Sequence, residues 1–246
     1  MKILLKIAYD GAGYCGWQVQ KNALSVQGAL CDAARNVYGD DVKITGCSRT
    51  DSGVHAREYF CTLEIPNNSA DIPCERIPGA LNRYLAQSIT VFSAEKVMAE
   101  FHPRYCAKQK TYRYVFDNGE QRDPFMADRA WHIPKRLNEI EMDRAAKEFI
   151  GKYDFEAFMA SGSSVEDTVR QIFDASVKRQ GDLVIFEVTG NGFLYNMVRI
   201  MAGTLYYVSI GKLCVEDINK IILQKDRRLA GITAPAHGLY LWSVTY

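Results

Sequence analysis

The order of strand-like and helix-like segments constrains the fold of this chain more than any other feature of its sequence. In the first half, residues 1–103, Ser25 precedes apolar residues at helical spacing and Gly39 follows them, which predicts a capped helix. A second helical pattern runs from Arg76 to Leu85. Strand patterns lie at 3–9, 42–45, 59–65 and 89–97. The predicted order of this half is therefore β-α-β-β-α-β.

The second half, residues 104–246, follows the same order without any repeat of individual residues. Its predicted strands lie at 110–116, 130–133, 170–178, 183–188 and 239–245, and its predicted helices at 140–150, 193–208 and 215–223. Such a half is the split βαβ arrangement, which is common in RNA-binding sheets. We therefore predict an α+β protein of two ferredoxin-like halves that share one mixed or antiparallel sheet, with helices on one face.

Composition and charge narrow the possible compartment and partners. The 246 residues carry a net charge of +1, so a nucleic-acid site would have to be a local basic surface. The seven cysteines include no C-x-x-C pair and the four histidines are far apart, which favours reduced thiols and no metal. The N-terminus lacks a signal-peptide pattern, and no apolar run is long enough to cross a bilayer. We expect a soluble, cytoplasmic protein without a membrane partner.

The segment CSRTDSGVHARE, residues 47–58, is the first candidate for chemistry because it brings charged, hydroxyl and imidazole side chains into one predicted loop. Asp-Ser-Gly is ordinary turn sequence, so the loop could be purely structural. Arg49 and Asp51, however, are two residues apart, and in an extended stretch both project to the same side. A neighbouring guanidinium would keep the Asp51 carboxylate ionised and nucleophilic. His55 could join them, although a lone loop histidine is more often a hydrogen-bonding scaffold residue.

The segment AKQKTYRYVF, residues 107–116, is the second candidate. Lys108, Lys110 and Tyr112 alternate along a predicted strand with residues that include Arg113. Basic side chains interleaved with aromatic rings suit RNA, because cations meet phosphates while rings stack on bases. A half-buried strand whose tyrosines pack inward would give the same pattern.

A third segment, GNGFLYNMVRIMAG at residues 190–203, reads as the start of a long helix. Asn196, Arg199 and Gly203 fall on one face of that helix. Because an arginine on such a helix is usually solvated, this segment alone assigns no function.

Taken in their order along the chain, these segments resemble the motifs of one family, the TruA-type tRNA pseudouridine synthases. RTDSGVHA at 49–56 resembles the signature loop of that family, KTYRY at 110–114 its second motif, and the segments GFL and MVR within 192–199 its third. Further matching segments are FHPRY at 101–105, YDFEAF at 153–158 and TAPAHGLYL at 233–241. Ser48 and Ser52 stand where the family usually has Gly and often has Ala, which leaves Arg49, Asp51 and Gly53 in place.

The resemblance implies a pseudouridine synthase fold and the isomerisation of uridine to pseudouridine in the anticodon stem-loop of tRNAs, without a cofactor. Asp51 would be the catalytic nucleophile, Tyr112 would stack on the base and assist proton transfer, and Arg199 would pair with Asp51. The stacked target uridine would flip into the pocket, while Arg49 fills the vacated space or holds the adjacent phosphate. A homodimer whose subunits both contact tRNA is also implied. The expected substrate-binding residues are Arg49, His55, Lys108, Lys110, Tyr112 and Arg113.

Two functions from other classes stay open at this point. One is a non-catalytic RNA-binding protein built on the same sheets, in which Asp51 would be replaceable. The other is a metal-assisted phosphodiesterase that uses Asp51 and His55. The second requires further carboxylates near the loop, and only Glu58 is close in sequence.

Overall fold

The computed structural model describes residues 1–66, 71–162 and 165–246, and these divide into two units. The first unit comprises Met1–Lys108 and Leu241–Tyr246, and the second comprises Gln109–Tyr240. None of the helices in these residues has the length and apolarity that crossing a membrane would need.

The first unit is an antiparallel sheet accompanied by two helices. Its elements are β1 (Lys2–Tyr9), α1 (Val26–Tyr38), β2 (Lys43–Gly46), β3 (His55–Glu64), α2 (Ile77–Asn82) and β4 (Ile89–Lys96). Strand β1 pairs antiparallel with both β3 and β4, and β2 pairs antiparallel with β3. The predicted β-α-β-β-α-β order of this half is confirmed.

Helix α1 begins and ends where the sequence predicted, because its boundaries are set by local chemistry. The side chain of Ser25 accepts a hydrogen bond of 3.1 Å from the backbone N–H of Gly28, which caps the first turn. At the other end Gly39 has φ 91°, a conformation that favours glycine over any other residue. Leu30 and Ala34, four residues apart, are both buried and face the core.

The second unit is also built on an antiparallel sheet. Its strands are β5 (Gln109–Asp117), β6 (Trp131–His132), β7 (Gly151–Asp154), β8 (Val169–Gln180) and β9 (Leu183–Gly190), and its helices are α3 (Glu139–Lys147), α4 (Met197–Ser209) and α5 (Asp217–Gln224). Along the sheet the order is β5-β9-β8-β7, and the short β6 lies parallel to β5. The predicted α+β class is confirmed.

The last strand, β10 (Leu239–Thr245), departs from the predicted division of the chain. We expected residues 104–246 to form one half, but Leu241–Tyr246 belong to the first unit. The reason is that β10 lies beside β3, a partner that its position at the end of the sequence does not indicate.

Two further boundaries differ by four residues from the sequence predictions, and one strand was not predicted. Helix α4 begins at Met197 and not at Phe193, because Asn196 has a left-handed backbone conformation with φ 58° that interrupts the helix. Strand β3 begins at His55, four residues earlier than predicted, since its polar start still pairs with the end of β1. Strand β7, Gly151–Asp154, was not predicted because its four residues lack an apolar alternation.

A buried guanidinium in the second unit depends on one carboxylate. The Nη2 atom of Arg179 lies 2.9 Å from Asn118 Oδ1, 3.0 Å from the carbonyl of Leu137 and 2.9 Å from Glu139 Oε2. Its Nε and Nη1 atoms are buried and have no hydrogen-bond partner among the described residues. The hydrogen bond from Arg179 lowers the pKa of Glu139 from 4.5 to about 2.

We therefore expect Glu139→Gln to lower the free energy of unfolding by about 2 kcal/mol at neutral pH, because it leaves a largely buried charge without its counter-ion. Since the pKa of Glu139 is lower in the folded state, its stabilising effect is complete above pH about 4.5. That effect is lost as the pH falls towards about 2, so the difference between variant and parent should shrink there. Urea titrations across this range measure it.

The matched control is Glu141→Gln, on the same turn of α3. Glu141 pairs with Arg144, whose side chain is 59% exposed, so the loss of stability should be much smaller than that of Glu139→Gln. Equal losses for the two variants would contradict the assignment of the stability to the Arg179 pair.

Candidate active site

Asp51 lies in the loop between β2 and β3, and hydrogen bonds on both sides of it fix this loop to residues 9–17 of the same unit. Before Asp51, the carbonyl of Thr50 accepts a bond of 3.1 Å from the N–H of Trp17. After it, the N–H of Gly53 donates to the carbonyl of Tyr14 over 3.2 Å. The Asp51 side chain is half-buried at the centre of this arrangement. A carboxylate is thus held at a defined place with little freedom of the backbone that carries it.

Two glycines allow residues 9–17 to approach the loop this closely. Gly16 has φ 89°, and a β-carbon at this position would lie 2.4 Å from the carbonyl oxygen of Thr50. A β-carbon on Gly11 would lie 2.0 Å from the carbonyl oxygen of Val54. Gly13, by contrast, has nothing within 4 Å of such a carbon. The clustered glycines of the sequence DGAGYCGW are the signal that could have indicated this contact, since glycines permit close backbone approach.

A cluster of aromatic rings supports the loop from the core. The rings of Trp17 and Tyr59 stack with their centroids 4.2 Å apart. The hydroxyl of Tyr59 donates to the backbone carbonyl of Ser48, and burial raises the pKa of this hydroxyl well above its ordinary value. The hydroxyls of Tyr9 and Thr50 are hydrogen-bonded at 2.8 Å. These contacts were not predicted from the sequence, because they join residues that are distant along the chain.

His55 is buried as the first residue of β3, with only 2% of its surface exposed. Its Nδ1 atom lies 3.0 Å from the backbone nitrogen of Gly11 and 3.1 Å from Asp10 Oδ1. The neutral ring with its proton on Nε2 accepts the Gly11 N–H, whereas a protonated ring would donate to Asp10. Either state ties β3 to the end of β1. This burial favours the scaffold role that the sequence left open over direct contact with RNA.

The side chain of Arg49 is exposed. We expected an extended stretch with both side chains on one side. The loop instead turns at Asp51, where Val54 N–H donates to the Asp51 carbonyl over 3.2 Å and Gly53 has φ 78°. The Arg49 side chain therefore points into solvent, where it is accessible to a ligand.

Strand β5 of the second unit carries the tyrosines and basic residues of the second candidate segment. Tyr112 is buried, and its ring meets that of Phe193 edge-on at 5.0 Å. Lys110 is on the same face and only 8% exposed, while Arg113, on the other face, binds the carboxylate of Glu187 on β9. The tyrosines pack inward, as the alternative interpretation of this strand required. Lys110, which the sequence predicted as a phosphate contact, is therefore less accessible to RNA than the sequence suggested.

Lys108, the remaining basic residue of that segment, lies in the first unit. Its side chain is exposed, and its backbone N–H donates to the carbonyl of Thr245 over 2.8 Å. Of the three cations predicted to contact phosphates, it is the one whose exposure suits that role best.

Arg199 projects from the first turn of α4 and is half-buried. Its Nε donates to the carbonyl of Ala234 over 2.8 Å, and its Nη1 donates to Asn196 Oδ1 over 2.8 Å. The hydroxyl of Tyr114, whose pKa is raised by burial, donates to the neighbouring carbonyl of Pro235 over 2.8 Å. The segment TAPAHGLYL thus holds the guanidinium in one orientation. Asn196 lies before the helix and not on its face, which corrects the prediction for this residue.

The predicted site residues fall into two sets, one in each unit: Arg49, Asp51, His55 and Lys108 in the first, and Lys110, Tyr112, Arg113 and Arg199 in the second. Across residues 1–66, 71–162 and 165–246, no group of three or more His, Cys, Asp or Glu side chains is placed to hold a metal ion.

Comparison with known proteins gives consistent matches. A family model described as tRNA pseudouridine synthase matches residues 145–246. A tRNA pseudouridine synthase A of Thermoanaerobacter sp. (strain X514) is 44% identical over 244 residues, which is 99% of each chain. That of Ruminiclostridium cellulolyticum is 46% identical over 249 residues, covering 100% of this chain and 99% of the relative. The solved structure titled "Crystal Structure of a Cbf5-Nop10-Gar1 Complex" aligns over 97% of this chain and 57% of its own at 11% identity and TM-score 0.37, too weak a similarity to define the fold.

Proposed function

Because the chain belongs to the tRNA pseudouridine synthase family, we propose that it isomerises uridine to pseudouridine in tRNA with Asp51 as the nucleophile. One observation carries the assignment of Asp51. Its loop is hydrogen-bonded to residues 9–17 on both sides of the carboxylate, so the attacking group is positioned before the substrate arrives.

The reaction explains why one fixed carboxylate suffices. The bond between N1 of uracil and C1′ of ribose breaks, and a bond between C5 and C1′ forms. A proton leaves C5 and one is gained at N1, so atoms and electrons balance without a cofactor. Asp51 holds one fragment while the base rotates, either by attack at C1′, as in retaining glycosidases, or by addition to the uracil ring.

Two residues of the second unit receive supporting roles from the family resemblance. Tyr112 stacks on the uracil and assists removal of the proton from C5. Arg199 pairs with Asp51 and positions it, and a guanidinium with two nitrogens already bound to Ala234 and Asn196 loses little freedom in doing so.

The substrate is the anticodon stem-loop of tRNAs, and the target uridine flips out of its stack into the site at a cost of a few kcal/mol. Arg49 fills the vacated space or binds the adjacent phosphate, and its exposure beside Asp51 supports this role. Lys108 contacts a phosphate of the same RNA, with weaker contributions from Arg113 and Lys110 because Arg113 is paired and Lys110 is buried.

The enzyme acts in the cytoplasm as a homodimer. The seven cysteines all lie in the described residues and none of them forms a disulfide, which suits a reducing compartment. A net charge of +1 leaves one subunit with limited basic surface, and two subunits around a symmetry axis provide a wider platform for a folded tRNA. Light scattering without RNA at micromolar concentration should give twice the subunit mass of 27.8 kDa. A mass equal to that of one subunit would contradict the dimer.

Mapping of pseudouridine in tRNA from cells that lack this protein tests the function directly. Pseudouridine should disappear from the anticodon stem-loop and return when the parent gene is restored. If tRNA from the deleted strain keeps pseudouridine in its anticodon stem-loop, the proposed substrate is wrong.

A further inference from the structure

Three side chains of the segment FHPRY form a surface group in the first unit, which we call the Tyr105 cluster: the exposed Arg104 and Tyr105 and the half-buried His102. Tyr105 is 76% exposed. The imidazole of His102 lies beside its ring with the centroids 4.3 Å apart, and the guanidinium carbon of Arg104 lies 5.8 Å from the ring centre. An aromatic ring and a cation thus lie together in solvent, next to a half-buried imidazole.

The turn that carries the Tyr105 cluster is firmly anchored. The hydroxyl of Tyr246 donates to the carbonyl of Pro103 over 2.9 Å, and the rings of Phe101 and Tyr246 lie 5.1 Å apart. Within the turn, the N–H of Cys106 donates to the carbonyl of His102 over 2.9 Å. Burial of this anchor raises the pKa of the Tyr246 hydroxyl, so it stays protonated as a donor. The ring of Tyr105 is therefore presented by a fixed backbone and not by a loose loop.

The arrangement departs from what stability alone would select. An isolated apolar ring at a surface needs no explanation. A ring held at the surface beside a guanidinium, however, gives a base a π-face to stack on and a cation for the flanking phosphate. Lys108, exposed two residues beyond the turn, adds a second positive charge in the same unit. None of these features takes part in the chemistry assigned to Asp51.

We propose that the Tyr105 cluster is a further RNA-contact site, at which Tyr105 stacks on an unpaired base of the tRNA while Arg104 binds a neighbouring phosphate. This inference rests on the proposed function, since it takes tRNA as the ligand. The contact adds affinity for the RNA and takes no part in the isomerisation. It therefore acts on KM and on the dissociation constant, and leaves kcat unchanged.

The test compares Tyr105→Ala with Tyr105→Phe in the full-length protein. Loss of one stacked base should raise the Kd for tRNA about tenfold and KM in parallel, with kcat at saturating tRNA unchanged. Tyr105→Phe keeps the ring and should bind within twofold of the parent. Phe92→Ala is the matched control, because Phe92 is a 53% exposed ring on β4 of the same unit. It should also bind within twofold.

Filter binding of tRNA gives the dissociation constants, and release of tritium from C5-labelled tRNA gives the kinetics. A Kd for Tyr105→Ala within twofold of the parent would overturn the proposal. An equal loss of tRNA affinity in Tyr105→Phe would also overturn it. So would a Tyr105→Ala variant that binds tRNA normally but has a different mass in light scattering, because that result would indicate a contact between protein chains. Failure of the proposed function would give a different result, because the parent protein itself would then release no tritium. The tRNA affinities of parent and variants would still show whether Tyr105 stacks on a base.

Discussion

Asp51→Asn should abolish isomerisation while the stability and the tRNA affinity of the protein stay close to those of the parent. The amide matches the carboxylate in size, and the hydrogen bonds that hold the loop are made by backbone groups of its neighbours, so the loop should keep its conformation. The variant loses negative charge and nucleophilicity, and with them the intermediate that lets the base rotate. Loss of such a residue costs several powers of ten in rate, on the order of 5 kcal/mol of barrier.

Asp51→Glu should fail as well, because the added methylene displaces the attacking oxygen by about an ångström. Ser52→Ala, in the same loop, is the control. Its hydroxyl donates one long bond of 3.3 Å to the carbonyl of Tyr14, so its loss should leave turnover near that of the parent. If the chain were a non-catalytic RNA-binding protein, the parent protein would show no turnover either.

Tritium release from C5-labelled tRNA, a melting curve and a binding titration together separate these cases. Turnover of the asparagine variant within tenfold of the parent would remove Asp51 from the mechanism. It would also take away the central assignment of the site.

The sequence predictions were accurate where interactions between residues close in sequence determine the structure, and less accurate elsewhere. Helix α1 was placed within a residue because Ser25 and Gly39 act on their own turns. The start of α4 was missed because one left-handed residue, Asn196, outweighs a continuous helical pattern. Local patterns therefore located the elements, and the backbone conformation of single residues decided where they end.

The site shows the same limit more strongly. Asp51 was identified from its segment, but its environment is made by residues that lie far away in sequence. Arg113 is paired with the carboxylate of Glu187. These two residues lie opposite each other only because β5 and β9 pair in this register. A single sequence contains the residue types of a site, but the pairing of strands determines which charges remain open to a ligand.

Gly16→Ala should reduce catalysis strongly although residue 16 makes no contact assigned to the substrate. A β-carbon there would lie 2.4 Å from the carbonyl oxygen of Thr50 and 3.0 Å from the carbonyl carbon of Asp51. Both are backbone atoms, which cannot rotate away as a side chain would. The φ of 89° is also strained for alanine. A movement of residues 9–17 alone would therefore relieve the clash only at a cost in backbone strain.

The loop that carries Asp51 must therefore move, and a shift of about an ångström is enough to lower kcat about a hundredfold. Gly13→Ala is the control, since a β-carbon at position 13 meets nothing within 4 Å, and it should retain parental turnover and stability. Kinetics are measured below the melting temperature of each variant, so that loss of folded protein does not count as loss of catalysis. If Gly16→Ala remains folded and turns over tRNA as fast as Gly13→Ala, the contact between residues 9–17 and the loop does not position the nucleophile. The rigidity of that contact would then have to be explained by folding alone.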